Sequence, residues 1–335
     1  MSVFLLIVAF VVILAGCELF VNGIEWFGRK LNLGEGAVGS VLAAVGTALP
    51  ETIIPLIAIL ISGGKAGEEV GIGAILGAPF MLSTLAIFVC GVSVLIFALR
   101  KRRTVEIRFN REIMRRDLGF FLGAYAVAVA IGIFDIGRLR WAVAVLLIVA
   151  YGIYVRRTMQ SEGDLEGESR ALYFHRTAEA PDLPRVILQI IVALAAIIFG
   201  ARLFVGQLST IAEALGVPAL VISLLITPIA TELPEKFNSV MWMRQKKDTL
   251  ALGNITGAMA FQSTFPVAIG LAFTDWRLYS SGEWHAAAAA GVALLSGAIL
   301  YGRLRFSKKG FGVGSLLFGG VLYAAFLGVT LWSIL

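Results

Sequence analysis

At 335 residues, 59% hydrophobic and only 15% charged, the chain carries far less charge than the roughly one quarter usual in a soluble domain. Its mean hydropathy of +0.89 excludes a soluble enzyme, because a globular core of this size must still be covered by polar side chains. The net charge of +6 would suggest nucleic acid as a partner of a soluble protein; in a chain whose solvent is lipid, the distribution of that charge among loops sets orientation instead.

A transmembrane helix takes about 20 mainly apolar residues. Ten such stretches are predicted, at 3–27, 37–61, 71–99, 118–134, 136–155, 186–206, 217–241, 249–273, 285–302 and 312–334. Between the fourth and fifth, Asp135 to Arg140 leaves room only for a tight hairpin. The first stretch lacks a basic leader and a small-residue cleavage site and runs into Glu18 and Asn22, so it reads as a retained helix. Cys17 and Cys90 lie in apolar stretches and read as space-filling side chains. His175 and His285 are isolated, so no zinc or haem ligand set is expected, and no cofactor.

Lys and Arg in alternate joints decide the orientation. The joints after stretches one, three, five, seven and nine hold 22 of them, the opposite side only 4. Both termini are therefore expected outside, the basic joints being cytoplasmic. The expected surroundings are a cell membrane, with the lipid bilayer and inorganic cations as partners and no obligate protein partner. The absence of regulatory domains and targeting extensions is compatible with a prokaryotic cytoplasmic membrane.

The chain also repeats itself. ELFVN at Glu18 to Asn22 returns as RLFVG at Arg202 to Gly206, and TALPE at Thr47 to Glu51 returns as TELPE at Thr231 to Glu235, both at an offset of 184. GAILGA at Gly73 to Ala78 returns as GNITGA at Gly253 to Ala258 at an offset of 180. Two five-helix halves are implied, 1–157 and 185–335, joined by a solvated polar linker at 158–184. Because five is odd, the second half enters the membrane from the opposite face. The expected fold is an all-α multi-pass membrane protein of ten transmembrane helices arranged as two inverted repeats, with a site where the halves meet at mid-membrane.

Each TxLPE motif places a carboxylate halfway along an apolar helix, where a charged group costs roughly 2.5–3.5 kcal/mol to insert. Pro50 and Pro234 lack an amide hydrogen, so the carbonyls four residues earlier, on Gly46 and Ala230, lose their helical partners and become oxygen donors. Thr47 and Thr231 lie four residues before Glu51 and Glu235 and share their helical face. Carboxylates, carbonyls and hydroxyls together approach the six to eight oxygens preferred by Ca2+. The absence of nitrogen and sulfur donors disfavours zinc and copper. A divalent cation, two monovalent cations or two protons would each neutralise the pair, which suits exchange.

The two TxLPE segments, each followed by a glycine-rich helix, resemble the paired alpha repeats of the calcium/cation antiporters that include the sodium/calcium exchangers. The resemblance covers nearly the whole chain. It implies that Glu51 and Glu235 are the central cation ligands, assisted by Thr47 and Thr231, and that helices one and six form a gating pair sliding across a rigid remainder. Asn254 matches the family pattern of the eighth helix, whereas Ala258 stands where a serine is usual. Ala74, Ala78, Pro79 and Leu82 replace polar residues usual in the third helix, which removes oxygens expected at flanking sodium sites. Gln262 stands where sodium-coupled members often place an aspartate and is similar to what proton-coupled calcium exchangers use.

Glu232 and Lys236 have no counterpart in the first motif, which reads Ala48 and Thr52 there. Their i, i+4 spacing suits an ion pair, either a structural one or one in which the ammonium occupies a cation position. The expected ligand set is thus Glu51, Glu235, Thr47, Thr231 and the carbonyls of Gly46 and Ala230, with Glu232, Asn254 and Gln262 beside them. Glu18, Asn22 and Glu25 face either an aqueous pathway or Arg202, and Asn238 and Ser239 are expected toward the cytoplasmic end. The expected function is a secondary antiporter exchanging Ca2+ or a similar cation for Na+ or H+. A cation channel and a transport-inactive structural paralogue are the alternatives. An intramembrane enzyme would need a nucleophile and a base at catalytic spacing, which the chain does not offer.

Overall fold

The computed structural model describes residues 2–30, 49–161, 171–175, 181–279, 284–307 and 312–334. Regular structure among them is entirely helical. Helix α1 spans Ser2–Lys30 and α2 spans Leu49–Ile57, continued by a π-helical turn at Ala58–Ser62. Helix α3, Gly64–Met81, passes through a second π-helical turn at Leu82–Ala86 into α4, Ile87–Leu99. Helix α5 is Arg111–Ile133 and α6 is Arg140–Ser161. The remainder is α7, Leu183–Leu215; α8, Ala219–Thr231; α9, Leu233–Arg244; α10, Asp248–Gln262; α11, Phe265–Phe273; α12, His285–Phe306; and α13, Val313–Ile334.

Among the described residues, eight helical stretches are long and apolar enough to cross a bilayer, and two shorter apolar ones lie at Glu51–Ser62 and Ala219–Ile229. The chain is a multi-pass membrane protein. Its outward faces carry large apolar side chains such as Ile7, Val145, Val149 and Phe199, as lipid contact requires. Helices overlap every predicted stretch, but α3 and α5 begin and α6 and α7 end six to nine residues beyond the predicted bounds, residues 37–48 of the second stretch lie outside the described residues, and two stretches are broken. The seventh stretch breaks at Glu232 and the eighth at Ser263 and Thr264. Proline causes both: Pro234 and Pro266 stand in the first turn of α9 and α11, without an amide hydrogen to continue the preceding helix.

The break before α11 has a counterpart 180 residues earlier, in the π-helical turn at Leu82–Ala86. Ser83 and Thr84 both donate their hydroxyls to the Phe80 carbonyl. Ser263 and Thr264 both donate to the Ala260 carbonyl, at 2.9 and 3.2 Å. All four side chains are fully buried. Hydroxyls that bond back to a carbonyl one turn earlier bend helices, and π-helical turns tend to sit at functional sites.

Two large hydrophobic clusters and one small one fill the described interior. One large cluster joins α1, α2 and α7 with Val70 of α3 and Ala219 and Ile222 of α8; the other joins α3 to α6 with α8 to α13. Helices α1 and α7 run antiparallel, with Gly16 against Ile197 and Ala193 and Gly200 against Ile13 and Ala9. Helix α3 lies almost backbone to backbone on α8. A Cβ at Gly73 or Gly77 would come within 2.4 Å of the Leu220 or Leu224 carbonyl, so only glycine fits there. Cys90 is fully buried in the larger cluster, as a space-filling side chain should be, whereas the Cys17 side chain lies outside the described residues.

One buried ion pair ties the loop after α4 to the start of α10. Arg103 forks onto Asp248 at 2.7 and 3.0 Å. It also donates to the carbonyls of Thr104, Met243 and Glu106 at 3.1, 2.7 and 3.0 Å. All five guanidinium N–H groups are thereby used, and Asp248 takes a further bond from the Arg108 amide at 2.9 Å.

The linker is less solvated than expected where it is described. Leu172 is fully buried against Trp26 and Val186. Asn22 donates to the Ala171 carbonyl at 3.3 Å and accepts from the Tyr173 amide at 3.1 Å. Gln189 on α7 accepts from the Phe174 amide at 3.0 Å and donates to the Leu19 carbonyl at 2.8 Å and to Asn22 at 3.0 Å. Glu18 accepts the Tyr173 hydroxyl at 2.6 Å, while Arg202 is exposed. The side chain of Glu25 lies outside the described residues.

Candidate cation-binding site

Glu51 stands in the first described turn of α2 and Glu235 in the first turn of α9. Both are 3% exposed, so neither carboxylate reaches bulk water. Helix α2 packs against α3, α7, α8 and α11, which turns Glu51 toward the junction between α8 and α9. Across that junction the groups whose charge bears on Glu51 are Glu235 and Glu232. The Thr231 hydroxyl approaches the same carboxylate without closing a hydrogen bond of ordinary geometry. Four of the residues expected at the site therefore come together, from two segments about 180 residues apart in sequence.

The proline that breaks the helix also shapes the junction. Pro234 gives no amide hydrogen to the Ala230 carbonyl, and α8 ends at Thr231, leaving Glu232 as the cap of α9. Glu232 is fully buried. Its Oε2 accepts from Lys236 Nζ at 3.0 Å, and the same ammonium donates to the Pro228 carbonyl at 3.3 Å. The other oxygen, Oε1, is buried and makes no hydrogen bond.

Asn254 on α10 donates to the Glu235 main-chain carbonyl at 3.2 Å and to Ser239 Oγ at 3.3 Å. Ser239 in turn donates to the Ala251 carbonyl at 3.0 Å. These bonds fasten the Glu235 turn to α10. Ser239 therefore belongs to the support of the site, one turn beyond Glu235, a role that its expected place near the helix end did not suggest. Gln262 closes α10 with its side chain 2% exposed and Oε1 free of hydrogen bonds. Gly46 and Thr47 lie outside the described residues.

Both oxygens of Glu51 are buried without a hydrogen bond. A carboxylate in that condition is costly unless a cation or proton compensates it. Among the described residues no group of three or more His, Cys, Asp or Glu converges closely enough to hold a metal alone. A cation here would thus combine carboxylate oxygens with hydroxyl, amide and main-chain oxygens, the hard donors of calcium and the alkali ions and not those of zinc.

Two matched hydroxyl pairs escaped the sequence reading: Ser83 with Thr84, and Ser263 with Thr264. The signal was present, because the 180-residue offset that aligns GAILGA with GNITGA continues to MLST at 81–84 and FQST at 261–264. The Lys236 bond to Pro228 had no such signal, since it spans two turns across a helix break.

Comparison with known proteins fits this geometry. The sequence profile of a family described as sodium/calcium exchanger protein matches residues 1–159 and 185–335. The chain is 24% identical over 332 residues to a putative antiporter, CaxA, of Alkalimonas amylolytica, covering 96% of this chain and 95% of the relative. Among solved structures, the sodium-calcium exchanger NCX_Mj superposes with a TM-score of 0.59 at 21% identity, covering 98% of this chain and 97% of the other. The H+/Ca2+ exchanger CAX superposes with a TM-score of 0.67 at 15% identity, covering 99% and 89%.

Proposed function

Because the chain belongs to the sodium/calcium exchanger protein family, a family of cation antiporters, we propose that it exchanges Ca2+ or a similar divalent cation for Na+ or H+ by alternating access. The observation that carries this reading is that Glu51 and Glu235 are both buried and lie near enough across the α8–α9 junction for the charge of one to bear on the other. One buried site cannot hold a full complement of both ions, so binding one set of positive charge expels the other.

The architecture behind this reading is ten transmembrane helices in two inverted halves, 1–157 and 185–335, joined by the linker. Three features support it. Helices α1 and α7 are antiparallel, and their contacting residues match at an offset of 184. The hydroxyl pairs after α3 and at the end of α10 match at an offset of 180. Each TxLPE segment adjoins a short apolar helix, Glu51–Ser62 starting at the last residue of the first motif and Ala219–Ile229 ending just before the second. The pairing of α1 with α7 at the centre of one hydrophobic cluster suits a gating pair. With the basic joints in the cytoplasm of a prokaryotic cell, the Arg103–Asp248 clamp lies on the cytoplasmic side and both termini lie outside.

The counter-ion follows from what lines α3. Ala74, Ala78 and Leu82 are buried apolar side chains packed into the core, in places where hydroxyl and amide oxygens would serve flanking sodium ions. Few oxygens remain for several monovalent cations at once, so a proton or a small number of Na+ ions is the expected return load. The test is calcium uptake into vesicles under separately imposed pH and sodium gradients. Uptake driven by either gradient supports exchange and names its partner; a non-saturating calcium flux that needs no counter-ion would identify a channel instead.

A further inference from the structure

The site holds one positive charge of its own. We propose that the Lys236 ammonium is a built-in cation of the exchange site, standing in the place and charge of one monovalent ion that the carboxylates would otherwise recruit. The inference rests on the antiporter reading of the same residues and adds what sets its ion stoichiometry.

Three observations carry it. First, Nζ is held by one carboxylate oxygen and one main-chain carbonyl, Glu232 Oε2 at 3.0 Å and Pro228 O at 3.3 Å. These are the donor types that would hold an alkali cation at a broken membrane helix. Second, the pair is not sealed off from the site. Glu232 keeps one buried oxygen without a hydrogen bond, and its charge bears on Glu51 and interacts with Glu235. Third, the matching positions of the first half are Ala48 and Thr52, so the motif can be built without an ion pair there. A buried pair that replaces apolar residues adds little net stability, and stability alone does not explain why only the second half carries one.

The charge count then decides the load. Three buried carboxylates, Glu51, Glu232 and Glu235, stand near the α8–α9 junction with one ammonium, which bonds Glu232; with all of them ionised, two negative charges remain, matching one divalent cation with nothing else bound. Lys236→Met restores the third negative charge and creates a vacancy shaped by Glu232 and the Pro228 carbonyl, which Na+ can fill. The double variant Glu232→Gln with Lys236→Met returns the count to two and removes the demand.

The test uses the full-length protein. In detergent and without Ca2+, thermal unfolding is followed against NaCl, with choline chloride holding ionic strength constant; a ligand bound only by the folded state raises the melting temperature. The expected result is a larger Na+-specific rise in K236M than in wild type, with the wild-type response regained in E232Q/K236M. In proteoliposomes, the monovalent ions moved per Ca2+ should rise by one in K236M and return to the wild-type value in the double variant. A folded K236M with unchanged Na+ response and unchanged ratio overturns the proposal. Should K236M fail to fold, E232Q alone decides: it leaves the ammonium uncompensated and lowers the negative count to one, so Ca2+ affinity must fall at least tenfold, and an unchanged affinity overturns the proposal. The stabilisation assay reads ion occupancy without transport. Failure of the antiporter reading, seen as wild-type calcium flux in E51Q, is therefore distinguishable from failure of this inference.

Discussion

Gly16 and Gly200 trade neighbours. A Cβ at Gly16 would lie 2.8 Å from the Ile197 side chain and 3.2 Å from the Ala193 carbonyl; a Cβ at Gly200 would lie 2.8 Å from Ile13 and 3.1 Å from the Ala9 carbonyl. Each glycine is pressed by the isoleucine that sits three residues before the other. The seam between α1 and α7 therefore looks the same from both sides, as a self-complementary contact about an approximate two-fold axis must.

That equality is testable. Gly16→Ala and Gly200→Ala should each destabilise the protein by about 1–3 kcal/mol, the usual cost of overpacking, and the two losses should agree within about 0.5 kcal/mol. The double variant should lose less than the sum, since parting the helices once relieves both clashes. Unfolding in detergent measures all three; one neutral substitution beside one damaging one would contradict the matched seam.

Glu51→Gln and Glu235→Gln each remove a charge from the proposed site while keeping the shape of the side chain. Losing a hydrogen-bonding charge is worth roughly 1.5–3 kcal/mol, about 10- to 150-fold in affinity. Calcium-dependent dissipation of an ion gradient in vesicles should collapse in both. Wild-type rates in either variant would remove that residue from the site.

Arg103 and Asp248 are 2% and 3% exposed in their side chains, so each charge depends on the other. Arg103→Ala leaves a buried aspartate unpaired, at a cost of about 3–5 kcal/mol. Lysine cannot reproduce the planar fork and its five donors, so Arg103→Lys should recover only part of that loss. Replacing both partners with apolar residues should be milder than replacing Arg103 alone. Melting curves of the three variants check the order.

Gln262→Asp puts a carboxylate where an amide oxygen now lies buried without a hydrogen bond. Calcium uptake in that variant should become more dependent on an opposing sodium gradient than in wild type. Uptake with the same dependence on sodium and pH as wild type would show that position 262 does not select the counter-ion.

Helix positions were legible in the sequence because an apolar run of membrane length admits one structure. The candidate ligands were legible because a carboxylate in such a run has few bland explanations. The breaks at Glu232 and at Ser263 were not drawn, although Pro234 and Pro266 mark them, since proline is tolerated inside membrane helices when neighbours satisfy the freed carbonyls. The Arg103–Asp248 clamp joins residues 145 apart in sequence and has no local signature. Leu172 in the linker lies in the short apolar run Ala171 to Phe174, too brief to form a helix of its own and overshadowed by the polar residues on either side.

The docking of that linker has a mechanical consequence. Asn22 on α1 and Gln189 on α7 bond to each other and to the same short span, Ala171 to Phe174. Neither rod could travel alone without tearing this stitching, so any displacement of one would have to carry the other and the tether with it.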